Sequence, residues 1–218
     1  MAKRTPGIRL LASKAYPWYR AVDKGTPLMQ GDLIMNYPVF FPPIDILDRI
    51  ANKSADVAEV DFQRYNFIIL SQSCDLEKDK IDMVLISPIV PLYTFIEKNK
   101  QSFPTNVLSE TQRKNMVKAL DRLVAGHFIG ACILHECDLS ELYSYPLVVE
   151  FERVQSTPLK FLSGFVERSE GKRIQLQPPY RELLSQSFAR FLMRVGLPEG
   201  IDTNRITDRM HAENWSLK

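Results

Sequence analysis

A polar segment at residues 71–75 holds the residue types that most directly suggest chemistry. It consists of Ser71, Gln72, Ser73, Cys74 and Asp75, and it directly follows an apolar run. Functional groups are often held where a rigid strand passes into a loop. A cysteine at such a junction becomes a nucleophile when a nearby cation or histidine stabilises its thiolate, and a carboxylate can orient a base. The alternative is a polar turn, in which the hydroxyls bind local backbone amides and Cys74 fills an apolar gap.

Arg64 stands just before the same apolar run. An arginine at the rim of a sheet can clamp a phosphate and stabilise charge during phosphoryl transfer. The alternative is a solvated side chain, or one that pairs with Asp61. The candidate catalytic residues are Arg64, Ser71, Cys74 and Asp75, and the candidate nucleic-acid contacts are Arg64 and Gln72. We expect these side chains to meet at one solvent-open rim.

The other two cysteines form a Cys-x2-His-x-Cys pattern with a histidine. Cys132, His135 and Cys137 would need a fourth ligand for tetrahedral zinc, which Cys74 could supply. The spacing does not match the better-known Cys-x2-Cys pairs, and buried free cysteines beside a surface histidine are the alternative. We predict no metal site and no cofactor, and leave open whether these four residues bind zinc.

Common nucleotide and hydrolase motifs are missing from the chain. It contains no GxxxxGK[ST], GxGxxG, HExxH or GxSxG sequence, which argues against P-loop hydrolases, Rossmann dehydrogenases, zincins and α/β-hydrolases. A site assembled from distant segments would leave no such local motif.

The strand that must position these groups is residues 65–71. It is aromatic, β-branched and almost continuously apolar, which predicts burial on both faces. Residues 81–87 form a second apolar run across a polar break, which predicts an antiparallel partner strand ended by Pro88 and Pro91. Further strands are predicted at 146–154, 159–166 and 173–176.

Two helices stand out from the strand pattern. Residues 109–124 carry an apolar stripe, and Ser109 followed by Gln112 is a capping-box pattern. Residues 180–195 repeat such a stripe between two prolines and Gly196. A short helix within residues 44–60 is also predicted.

Composition favours one globular domain with a real core. The chain of 218 residues is 45% hydrophobic and 25% charged, and its formal net charge is only +2. Any basic surface must therefore be local. The C-terminal part is the basic one, and its cations form either a solvated helix face or an anion-facing patch. They include Arg168, Lys172, Arg173, Arg181, Arg190, Arg194, Arg205 and Arg209.

No segment of the sequence suggests export or membrane insertion. The N-terminus lacks the apolar stretch of a signal peptide, and the apolar runs are far too short to span a bilayer. We therefore predict a cytoplasmic protein with no membrane partner.

In order along the chain, these elements resemble the MazF/PemK family of small toxin barrels. The segments Gly31-Asp32-Leu33-Ile34, Arg64 to Ser71 and Met83 to Ile89 are similar to successive strands of that family, and Thr157-Pro158 with the 180–195 helix is similar to its closing part. Two positions depart from the family pattern: Tyr65 replaces the proline after the arginine, and Val90 stands near the expected threonine. The sequence Ser-Gln-x-Cys-Asp-Leu also resembles a group of uncharacterised bacterial proteins from mobile or defence-associated loci.

The resemblance implies an α+β fold built on a small antiparallel SH3-like β-barrel, with an inserted helical segment and a C-terminal helix. Residues 1–200 would form this single domain, with the helical insertion at about 95–130 and a polar tail at 201–218. It also implies a bacterial stress or phage-defence protein that binds RNA or another anionic partner, in which Arg64 stabilises a phosphorane-like transition state.

Three functions therefore stay open after the sequence is considered. If the protein is an enzyme, a metal-independent endoribonuclease is the first expectation. The main alternative is a non-catalytic interaction subunit that docks onto a cognate protein partner, and the third is a cysteine-dependent enzyme. A homodimer is compatible with each of the three.

Overall fold

Strands and helices alternate along the part of the chain that the computed structural model describes, which is residues 17–41, 46, 51, 61–77, 80–99, 109–137, 139, 145–170 and 172–193. The strands are β1 (Tyr19–Val22), β2 (Asp32–Phe41), β3 (Asp61–Ile69), β4 (Met83–Pro91), β5 (Ala131–Leu134), β6 (Leu147–Glu150), β7 (Gln155–Pro158) and β8 (Arg173–Leu176). The helices are α1 (Ser73–Leu76), α2 (Leu92–Lys98), α3 (Glu110–Val124), α4 (Leu159–Arg168) and α5 (Tyr180–Leu192), and a 3-10 turn spans Phe151–Arg153. The predicted α+β class is confirmed.

The strands form one antiparallel sheet in the order β1-β8-β2-β3-β4-β6-β5, with β7 also paired to β4. Strands β6 and β7 flank different stretches of β4, residues 89–91 and 83–86, because the 3-10 turn interrupts their course. Across the described residues no backbone pairing joins the end strands β1 and β5. The sheet is therefore open, and a closed barrel is not confirmed.

Two side-chain hydrogen bonds join strands of the open sheet that do not pair through their backbones. The Tyr19 hydroxyl in β1 donates to the carbonyl oxygen of His135, just after β5, at 2.7 Å. The hydroxyls of Tyr37 in β2 and Thr157 in β7 are hydrogen-bonded to each other, and both residues are buried. The second contact brings the edges of β2 and β7 together around one apolar core.

Residues 67–70, at the end of β3, are buried on both faces, as the sequence predicts, whereas residues 61–64 of the same strand are exposed. Phe67 and Ile69 point into a core shared with β2, β4 and α4, whereas Ile68 and Leu70 point into a core that includes Leu184 of α5. None of the residues 67–70 is more than 3% exposed. Because alternate side chains of a strand face opposite ways, β3 is the layer between the two cores.

The predicted helix at 109–124 is confirmed as α3, including its cap. Ser109 Oγ accepts from the Gln112 backbone N–H, and Gln112 Oε1 accepts from the Ser109 N–H. Helices α2 and α3 pack on β5 and β6 through Phe95, Leu123 and their neighbours. The predicted helix at 180–195 is present as α5, which ends at Leu192.

Three local predictions were wrong in detail. Residues 159–166 form helix α4 instead of a strand, because Leu162 and Val166 lie on one helical face that closes over the core beside β3. Pro88 does not end β4, since it lies between the stretches paired with β7 and with β6, where a proline is tolerated. The polar segment after β3 is partly helical, because it contains α1.

Some predictions fall outside the described residues. The short helix within residues 44–60 does so almost entirely, and the polar tail at 201–218 does so completely. The division into one domain with a helical insertion stays a prediction. No helix in the described ranges has the length and apolar character needed to cross a membrane.

Gly31 provides a test of the junction between β3, β2 and β8. Its N–H donates to Ile69 O and its carbonyl accepts from Leu176 N–H, both at 2.9 Å, while its φ is +82°. An added Cβ would lie 2.8 Å from Leu176 Cβ. We expect Gly31→Ala to lower the free energy of unfolding by about 2 kcal/mol or more.

Urea denaturation of both glycine variants would check this expectation. Gly25→Ala is the control, because no heavy atom lies within 4 Å of its added Cβ. A Gly31→Ala protein as stable as Gly25→Ala would contradict the described junction.

Candidate functional site

A bulge in β2 shapes the surface beside Arg64. The register of β2 on β3 shifts between Ile34 and Tyr37, and Asn36 within that interval has φ +51°. The extra residue lets Ile34 and Tyr37, three positions apart, point into the same core. Asparagine tolerates this left-handed conformation better than most residues, and its N–H is held by Asn66 Oδ1 at 3.0 Å.

Arg64 is oriented by this bulge. Its Nη1 donates to the carbonyl oxygen of Asn36 at 3.1 Å. Its guanidinium also lies over the ring of Phe62, with 5.5 Å between Cζ and the ring centroid. The side chain as a whole is exposed to solvent.

Arg64 lines a cleft of about 660 Å³ between β1, β2, β8 and α4. The cations around the cleft are Lys24, Arg64, Arg168, Lys172 and Arg173. Glu170 is the one carboxylate among the described lining residues. The apolar lining includes Leu33, Ile34, Met35, Phe165, Val166 and Ile174. The cleft therefore combines an excess of positive charge with an apolar floor.

Three of these cations are exposed and only weakly engaged. Arg168 Nη1 donates to the Gly164 carbonyl oxygen, and Lys172 Nζ lies 3.8 Å from Asp23 Oδ1. Lys24 is also exposed. An exposed ion pair such as Lys172–Asp23 contributes about 0–1 kcal/mol, so a ligand can displace it at little cost.

Arg173 differs, because it is part of a buried network under the cleft. Its Nε donates to Asp32 Oδ2 at 2.8 Å, its Nη2 donates to the carbonyl oxygens of Thr26 and Pro27, and the two charged side chains are 4% and 0% exposed. Gln175 Nε2 donates to Asp32 Oδ1. Burial raises the pKa of Asp32, while Arg173 and the hydrogen bonds oppose that rise. Arg173 thus anchors β8 to β2 and carries little free charge for a ligand.

The polar segment after β3 is held mainly by backbone contacts. Ser71 Oγ accepts from the Leu85 N–H at 2.8 Å, and Ser73 Oγ accepts from the Gln30 N–H at 3.2 Å. Cys74 is exposed, with its Sγ 3.6 Å from Asp75 Oδ1 and 3.7 Å from Gln72 Oε1. The hydroxyls therefore behave as the polar-turn alternative expects, and a carboxylate stands beside the thiol.

Arg64 and the polar segment do not meet at one rim. Arg64 is the fourth residue of β3, whereas Ser71 follows the other end of that strand. Seven residues of extended chain span about 20 Å, which is too far for Arg64 and residues 71–75 to act on one phosphate. The expected convergence is corrected here: Arg64 belongs to the cleft, and Ser71, Gln72, Cys74 and Asp75 lie elsewhere. Whether any of them is catalytic stays a prediction.

The residues of the zinc hypothesis are likewise dispersed. Cys132 and Cys137 are buried in the core under α5, whereas Cys74 is exposed after β3. Within the described ranges, no three or more His, Cys, Asp or Glu side chains form a group that could hold a metal ion. Burial raises the pKa of the Cys132 thiol to about 11.

Sequence reasoning found part of this cleft and missed the rest. Arg64 was singled out for its place before an apolar strand, and Arg168, Lys172 and Arg173 belong to the basic C-terminal part. Lys24 and Asn36 were missed, because a lone lysine and an asparagine in a strand carry no motif. The positive φ of Asn36 is a property of the folded register.

No protein-family model, no curated protein and no solved structure matches this chain. The MazF/PemK resemblance accordingly stays a prediction.

The three cysteines should differ sharply in reactivity. At pH 8 we expect one thiol, that of Cys74, to react quickly with an aromatic disulfide reagent, because it alone of the three is exposed. Cys132 and Cys137 should react only as the protein unfolds, and the raised pKa of Cys132 keeps its thiol protonated at this pH. Absorbance of the released thiolate measures both phases.

The matched control is Cys74→Ser, which should lose the fast phase and keep the slow one. Two fast equivalents in the unmodified protein would contradict the described burial.

Proposed function

We propose that this chain binds a polyanionic ligand, single-stranded RNA, in the cleft beside Arg64. The observation that carries the proposal is that Arg64 and three other exposed cations, Lys24, Arg168 and Lys172, line one cleft, whose described lining residues include one carboxylate, Glu170. Phosphate contacts from lysine and arginine supply most of the sequence-independent affinity of nucleic-acid binding. These cations support the cleft beside Arg64 as the surface for the RNA binding that the sequence predicts.

Local charge matters here because the whole molecule is almost neutral. With a formal net charge of +2, long-range steering of RNA toward the protein would be weak. The cleft instead concentrates positive charge against a low-dielectric apolar wall, where each charge acts more strongly. Binding should therefore depend on these few residues and on salt.

The proposal that the chain is related to the MazF/PemK family is supported by the contact between two strands of the open sheet, β2 and β7. Strands β2, β3, β4 and β7 surround one core, and the Tyr37–Thr157 hydrogen bond links the edges of β2 and β7. This arrangement is compatible with an SH3-like barrel of the MazF/PemK type, and hence with a cytoplasmic toxin or phage-defence protein. Endoribonuclease activity would need a proton acceptor near Arg64, and Glu170 is the carboxylate of the described cleft.

A second candidate function is that of a protein-interaction subunit. A groove of about 340 Å³ separates the edge of β2 from β7, and its lining includes Tyr37, Phe40 and Phe161. Phe40 and Phe161 are both substantially exposed. Aromatic residues in such a groove are typical of interface cores.

The RNA proposal is tested by anisotropy of a fluorescein-labelled 12-nucleotide oligouridylate at several salt concentrations. We expect Arg64→Ala to weaken binding about tenfold, and Arg168→Glu with Lys172→Glu to weaken it about 100-fold. Each lost phosphate contact should lower the slope of log K against log salt by about 0.7.

Lys114→Ala is the matched charge control, because Lys114 is exposed on α3 and pairs with Glu110 at a distance of 3.0 Å outside the cleft lining. An equal loss of affinity in this variant, or no binding by the unmodified protein at low salt, would refute the proposal. Electrophoresis of the same RNA after incubation reports cleavage, and Glu170→Gln should abolish any that occurs, because it removes the proton acceptor.

A further inference from the structure

Strands β2 and β3 continue as a two-stranded ribbon beyond the main sheet. Residues 37–41 pair with residues 61–65, whereas β8 pairs only with residues 32–33 of β2, and β4 only with residues 67–69 of β3. In the described part of the chain no third strand pairs with the ribbon through backbone hydrogen bonds, and β7 approaches its β2 edge only through the Tyr37–Thr157 hydrogen bond. Phe40, Phe41 and residues 61–64 of the ribbon are exposed.

Two phenylalanines face each other on this ribbon. Phe40 is the register partner of Phe62, their ring centroids are 6.2 Å apart, and each is 52% exposed. A half-exposed pair of large rings gains little from the core of its own protein. Phe40 also makes an edge contact with Phe161, at 5.8 Å between ring centroids, and the remaining exposed surface of the pair is open to a ligand.

Arg64 connects this pair to the basic cleft. It is two residues from Phe62 on the same strand, so both side chains project from the same face. Its guanidinium lies over the Phe62 ring, and the same residue lines the cleft. Cations and exposed rings thus form one continuous surface. We name Phe40, Phe62 and the Arg64 guanidinium the ribbon platform.

We propose that the ribbon platform stacks unpaired bases of an RNA strand whose phosphates lie in the basic cleft. This inference rests on the proposed function and deepens it, because it assigns the bases as well as the phosphates to named residues. A cationic groove beside aromatic rings is the combination that binds single strands without sequence preference. A duplex hides its base faces, so the platform selects for unpaired nucleotides.

The closing experiment compares three labelled probes of equal length: a 12-nucleotide oligouridylate, its abasic counterpart and a 12-base-pair RNA duplex. The unmodified protein should bind the oligouridylate about 5- to 100-fold more tightly than the abasic strand. Phe40→Ala and Phe62→Ala should each remove most of that difference. They should leave the affinity for the abasic strand within about twofold and its salt dependence unchanged, because the phosphate contacts are intact.

Tyr93→Ala is the matched control, since Tyr93 is an aromatic residue that is 59% exposed on α2, and it should change neither affinity. Thermal unfolding of each variant checks that it is folded. Phe62→Trp supplies a second readout: it should retain binding, and oligouridylate should quench its added emission whereas the abasic strand should not.

The outcomes separate the two proposals. If no probe binds, the proposed function itself fails. If both single strands bind equally and only Arg168→Glu with Lys172→Glu weakens them, the cleft binds phosphate and the platform is overturned. Equal losses for both single-stranded probes in the phenylalanine variants would also overturn it. So would a self-associating protein that becomes monomeric on Phe40→Ala with unchanged RNA affinity, because the patch would then be a protein contact.

Discussion

Burial of residues 67–70 on both faces is the constraint on which the rest of this structure depends. Phe67 and Ile69 fill the core closed by α4, and Ile68 and Leu70 fill the core closed by α5. Full burial of each such side chain stabilises the fold by about 1.5–3 kcal/mol. A shift of β3 by one residue would exchange the two sets of side chains between cores of different shape, so its register is strongly specified. The neighbouring strand β2 must therefore pair with a β3 whose register is fixed.

The bulge at Asn36 is the change in β2 that shapes the candidate site beside Arg64. With β3 fixed, β2 can place both Ile34 and Tyr37 in the same core only by accommodating one extra residue. That residue turns its carbonyl oxygen toward Arg64 and so orients the guanidinium. The buried Arg173–Asp32 pair, in turn, fixes β8 beside β2 and forms the base of the cleft. The placement of Ile34 and Tyr37 in one core is thus linked, through the Asn36 bulge, to the orientation of Arg64 at the surface.

Local patterns predicted the strongest elements, and their failures have definite physical causes. The apolar run of β3, the capping box of α3 and the stripe of α5 are signals within a single element, and all three are confirmed. Residues 159–166 were expected to form a strand because their apolar residues suit either structure: Leu162 and Val166, four positions apart, share one face in a strand and in a helix alike. Arg64 and Ser71 were expected to meet because they are close in sequence, yet an extended strand separates residues at its two ends by the maximum distance. The cleft itself joins β1, β2, β8 and α4, and no sequence pattern within one of them reveals the others.

The ribbon differs from the rest of β3 in one respect that bears on function. Residues 61–64 are exposed, whereas residues 67–70 are buried. The chain therefore passes from the protein surface into the layer between the two cores. The outer half contributes little to stability, because its side chains have few apolar partners to lose. The inner half keeps that outer half in a fixed direction. The aromatic and cationic side chains at positions 62 and 64 therefore lie on a strand that is anchored by residues 67–70, and they contribute little to the core themselves. Because these exposed residues contribute little to the core, they can be substituted without unfolding the protein. A candidate binding surface is expected at such a position, where a rigid scaffold holds residues that are free to vary.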